Sequence, residues 1–152
     1  MKTMTRWQQY IKENLTYLGV DETHVEVWTE NGKPVSGGMH DTPDGMRYID
    51  FEYRLATAVD EMPAEVGGLL IAMAYHFVDG LDRAELEEID IDISPLDEGR
   101  LVNVEITFGV RDPIFLEPVQ NSPIVINGQK MGFSPGSWNV ATNMDLKGDV
   151  KR

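Results

Sequence analysis

Cysteine is absent from this 152-residue chain. That excludes disulfides, zinc–thiolate sites and thiol nucleophiles together, and it fits a cytosolic protein. Basic residues are scarce: 13 Lys and Arg stand against 26 Asp and Glu, a formal net charge of −13. The nearest thing to a basic cluster is Lys151-Arg152 at the end. The chain thus lacks the patch with which duplex-DNA or anionic-membrane binders displace counterions. Long apolar runs are missing too. The longest, Val66 to Val78, contains His76 and is too short to span a bilayer. Met1 to Gln9 has no apolar leader core. Neither secretion nor membrane insertion is expected.

Chemical signatures are equally sparse. No phosphate-binding loop, dinucleotide fingerprint or Gly-x-Ser-x-Gly elbow occurs. Gly37-Gly38 and Gly67-Gly68 are isolated pairs. His24, His40 and His76 have no second His at ligand spacing, and His76 reads as a core or helix-end residue. Asp90 and Asp92 alternate with isoleucines, which places them on one sheet face and not around a calcium loop. They read as a solvated acidic face. No catalytic residue, metal ligand or cofactor is expected, and the chain reads as a non-enzyme.

What is present is amphipathic patterning. Trp7, Tyr10, Ile11, Leu15 and Leu18 share one helical face, with Thr3 or Thr5 as cap and Gly19 just past the end. His24 to Glu30 alternates as a strand and meets the turn signal Asn31-Gly32. Lys33 to Gly45 is rich in Pro and Gly and reads as a mobile loop, either functional or an ordinary hairpin connection. Met46 to Asp60 shows period two. Pro63 then opens a helix, apolar almost all round from Val66 to Val78, which Gly80 ends. An acidic linker, Asp82 to Glu88, precedes strands at Ile89 to Ile93 and Leu101 to Val110.

These elements predict an α+β fold in the order α-β-β-α-β-β. Two helices pack a mostly antiparallel four-stranded sheet. Residues 1–118 form the globular domain and residues 119–152 an extended C-terminal arm. The arm holds one short strand candidate, Ile124 to Gly128, and two large aromatics, Phe133 and Trp138. These two are candidate anchors in a neighbouring subunit; the alternative is that they pack back on their own domain.

Three segments carry a family resemblance. They are His24-Val25-Glu26-Val27-Trp28-Thr29-Glu30, the stretch Phe51 to Asp60 running into Gly68 to Tyr75, and the strand pair around Ile89-Asp90-Ile91-Asp92 and Val104 to Phe108. Together the region His24 to Pro118 resembles the tail completion protein R family of contractile-tailed phages, and the order of elements is similar to that of tail terminators. The resemblance implies a structural protein at the head-proximal end of the tail, in the virion neck, needed for head–tail joining. It also implies self-association, as a homohexameric ring, with tail tube and neck proteins as partners and DNA passing through without specific binding. Two other readings stand beside it. One is a head-side neck adaptor. The other is a small-molecule binding domain or enzyme built from scattered residues.

Overall fold

The computed structural model describes residues 1–81 and 89–134. Three helices, α1 (Lys2–Glu13), α2 (Leu15–Leu18) and α3 (Gly67–Asp79), accompany six strands. The strands are β1 (Val25–Thr42), β2 (Gly45–Pro63), β3 (Asp90–Leu96), β4 (Leu101–Pro118), β5 (Ile124–Ile126) and β6 (Gln129–Phe133). Every pairing is antiparallel. The order across the sheet is β1-β2-β4-β6-β5, with β3 paired to the first part of β4.

This corrects the expected four-stranded sheet packed by two helices with an arm behind it. Sheet dominates the fold, and three departures explain why. First, the predicted loop Lys33 to Gly45 is strand. β1 runs to Thr42, and the chain reverses at Pro43-Asp44, where Thr42 pairs with Gly45. Asn31 adopts φ 55 at a bulge and does not turn the chain. Pro34 is tolerated because β1 pairs only with β2 among the described residues, so its other edge needs no donor.

Second, β4 continues through Asp112-Pro113 to Pro118. Pro113 falls between the stretch paired with β3 and the stretch paired with β6, where one side of β4 has no strand partner among the described residues. A missing N–H costs little there. Third, part of the expected arm joins the sheet. Asn127 (φ 51) and Gly128 (φ 78) form a two-residue turn that closes the β5–β6 hairpin onto β4. Residues 135–152 of that arm, with Trp138, lie outside the described residues, as does the acidic linker 82–88.

The core forms on one face of the sheet. Along β4, Val102, Val104, Ile106, Phe108 and Val110 are buried in period two. Leu55, Thr57 and Val59 of β2 lie opposite them. Met4, Trp7 and Ile11 of α1, together with Leu70, Met73, Ala74 and Val78 of α3, cover this face. Trp7 is the hub. Its ring centroid lies 5.0 Å from Phe77 and 5.4 Å from Phe108, the latter edge-on. Its indole N–H donates to Thr57 Oγ1 at 2.6 Å. Burying such a side chain contributes about 2–3 kcal/mol.

Helix boundaries shift for local reasons. The first predicted helix breaks at Asn14, so Leu15 and Leu18 belong to α2, and Gly19 ends α2 at φ 69. Pro63 closes β2; a 3-10 turn, Ala64–Val66, then leads into α3. α3 buries one side only. Tyr75 is 65% exposed and Leu69 41%, so the helix is not buried all round.

Candidate functional site

At the start of α1 the sequence supplies no side-chain cap. A residue 109 positions away supplies it instead. Asp112 of β4 is 3% exposed, and its Oδ2 accepts the Thr3 N–H at 3.3 Å. Its Oδ1 accepts the Thr3 hydroxyl, and the Tyr53 hydroxyl donates to Oδ2 at 2.7 Å. A carboxylate at a helix N-terminus meets unpaired N–H groups and the positive end of the dipole. Burial, reinforced by the Asp112 charge, pushes the Tyr53 phenol well above its ordinary range. Burial also lowers the Met1 amine to about 6, although Asp112 pulls it the other way. The predicted caps Thr3 and Thr5 do not serve: Thr3 lies inside the helix, and the Thr5 hydroxyl donates to the Met1 carbonyl.

Beside this junction, at the tip of the β1–β2 hairpin, is a cavity of about 610 Å³. Lys2, Asp44, Asp112, Phe115, Glu117 and Ser134 line it. Ser134 ties the parts together. Its N–H donates to the Phe115 carbonyl and its hydroxyl to the Asp44 carbonyl. The cavity mixes one lysine with three carboxylates, so it suits no single anion.

The solvent face of the sheet is acidic. Asp50 is buried beneath Arg47, which binds it through two nitrogens at 2.8 and 2.7 Å, and Arg111 lies 3.7 Å away. Arg111 also pairs with Glu52. Arg54 reaches Asp90 at 2.6 Å. Asp92 faces Glu105 across the β3–β4 pair on the same side.

A second concavity, about 520 Å³, lies between α3 and β3. Ile71, Tyr75, Val78, Leu81, Ile89 and Ile91 give it apolar walls. It exists because α3 covers β4 but leaves the inward-facing side chains of β3 half open: Ile91 is 39% exposed and Ile93 45%.

Of the two predicted interface anchors, Phe133 ends β6 opposite Leu116 and is 52% exposed. Trp138 lies outside the described residues. The three histidines stay apart: His24 precedes β1, His40 sits near the hairpin tip, and His76 is exposed in the last turn of α3, at the helix end and not in the core. Among the described residues, no group of three His, Asp or Glu is placed to hold a metal ion. No helix among them is long and apolar enough to cross a membrane.

Sequence reasoning missed Asp112 and the α3–β3 concavity. Asp112 had a signal: it falls in phase with the buried residues 102 to 110 of its strand, where a carboxylate needs buried partners. The concavity had none, because it depends on where a helix lies over a sheet. No protein-family model, curated protein or solved structure matches this chain.

Proposed function

We propose that this chain is a structural phage protein that completes or terminates the tail at its head-proximal end, acting as a ring of identical copies. The observation that carries the proposal is a sheet that, among the described residues, is open and has two unlike sides. One side ends in β1, with 18 residues of edge. The other ends in the short strands β3 and β5. A closed ring needs a heterologous interface, in which one surface of each copy meets a different surface of the next. Unlike edges and an apolar helix face supply such surfaces. The resemblance of its strand and helix patterns to the tail completion family supports the same role, with tail tube and neck proteins as neighbours.

The acidic solvent face has a use in this setting. Turned toward the channel, it would repel passing DNA and keep it from sticking. A ring with that face outward would remove this part of the proposal.

The deciding experiment is electron microscopy of purified virions carrying a labelled copy. Density at the head–tail junction, with countable ring stoichiometry, is expected. Label on isolated capsids but not on tails would favour the head-side adaptor. Absence from virions and tails alike would overturn the assembly role.

A further inference from the structure

We infer that the concavity between α3 and β3 is the seat of the C-terminal segment of a second copy, with Trp138 as its anchor. The inference rests on the self-assembling role proposed above and names the contact that would join copies. Its first support is the site. Tyr75, Ile71 and Ile91 present apolar surface to solvent, and the outer edge of β3 beside the groove has no strand partner among the described residues. An open edge next to an apolar groove accepts an extended strand: main-chain hydrogen bonds hold it, and alternate side chains fill the groove. In Trp138-Asn139-Val140-Ala141-Thr142 an extended backbone puts Trp138, Val140 and Thr142 on one side. Trp138 and Val140 would then cover Ile91 and Ile93, while Asn139 and Ala141 fall on the side of Asp90 and Asp92.

The second support is reach. Ser134 is held at the Phe115 end of β4, whereas the groove lies where Ile91 pairs with Ile106. Those positions are about 30 Å apart along the strand. Trp138, four residues beyond Ser134, extends no more than about 14 Å from it. The anchor of one copy therefore falls short of its own groove and meets that of a neighbour. The third support is charge. Residues 135–152 carry Lys147, Lys151 and Arg152 against Asp145 and Asp149, a positive balance in an acidic chain. Asp79 lines the groove, and Asp90 and Asp92 lie on its strand. A second copy docked by its folded domain would bring acidic β3 against acidic surface, a poorer match.

The absence of native cysteine makes the test direct. Full-length chains carrying Val140→Cys, which keeps the Trp138 anchor, and Tyr75→Cys are purified separately, mixed and oxidised, then run on a denaturing gel. A mixed disulfide dimer is expected. A chain carrying both substitutions should form ladders of linked copies. Closure of the doubly substituted chain into a cross-linked monomer would overturn the inference in favour of self-docking. No disulfide in the mixture would overturn it as well. Tyr75 is mostly exposed, so Tyr75→Cys should leave the circular dichroism unchanged. Independently, sedimentation of the otherwise unaltered chain with Trp138→Ala should show association about thirtyfold weaker. Association of unaltered strength would remove Trp138 as the anchor. If the chain assembles and yet shows no cross-link, the contact is wrong while the ring stands. If labelled virions lack the protein, the assembly role itself fails.

Discussion

Single residues carry this fold where a buried polar group meets a distant partner. Asp112 joins the start of α1, the middle of β2 and its own strand. Removing its carboxylate with Asp112→Ala leaves the Thr3 N–H and the Tyr53 hydroxyl without their buried acceptor. A loss of about 1–3 kcal/mol in denaturant unfolding is expected. A loss near zero would mean that water replaces the carboxylate. The nearby Met1 amine predicts a pH dependence. Its folded value of about 6 lies below the ordinary 8.0, so between these values the unfolded chain holds a proton that the folded one releases. Stability from this group rises with pH across that window and is lost as pH falls through it. An N-acetylated chain should lack the increment. Unfolding midpoints of acetylated and free chains at both pH values isolate it from the histidines.

At the scale of elements, helices and strands hold one another through Trp7, Leu70 and Phe108, all fully buried. Leu70→Ala and Phe108→Ala should each cost about 2–5 kcal/mol, because the helix-to-sheet contact cannot close over the lost volume. Effects near zero in chemical denaturation would break the assignment of that core. The hairpin tip is held differently. Gly45 has φ 122, and an added Cβ would lie 2.9 Å from the Leu116 carbonyl oxygen. Gly45→Ala should therefore destabilise by about 1–3 kcal/mol through backbone strain. The β5–β6 hairpin covers Leu116 and Met131. Removing residues 135–152 should leave unfolding cooperative with an unchanged midpoint. Cutting after Pro118 should expose Leu116 and lower the midpoint. Equal melting of the two truncations would show that β5 and β6 add nothing to the core.

For the molecule as a whole, charge and open edges matter together. An acidic protein whose β1 and β3 each have only one strand partner among the described residues needs devices against indiscriminate pairing. Glu26, Glu30, Lys33 and Pro34 on β1, and Asp90, Asp92 and Pro95 on β3, are such devices. They leave specific docking possible while opposing random stacking. The net charge of −13 should also prevent retention of duplex DNA at physiological salt. A mobility-shift titration checks this, and a salt-sensitive shift would contradict the proposed channel through which DNA slides freely.

By itself the sequence determined what depends on neighbours along the chain. The apolar phase of β2 and β4, the inward face of α1 at Trp7 and Ile11, the left-handed stop at Gly19 and the acidic balance are all local patterns, set by side-chain period and backbone sterics. Tertiary structure alone decided the rest. Lys33 to Gly45 became strand because β4 pairs along β2 as far as Met46 and supports the hairpin. Gln129 to Phe133 became strand because β4 runs past Pro113 to meet it. Asp112 became a helix cap because a strand late in the chain passes the first residues of α1. Each of these rests on contacts between residues far apart in sequence, and no window of periodicity contains both partners.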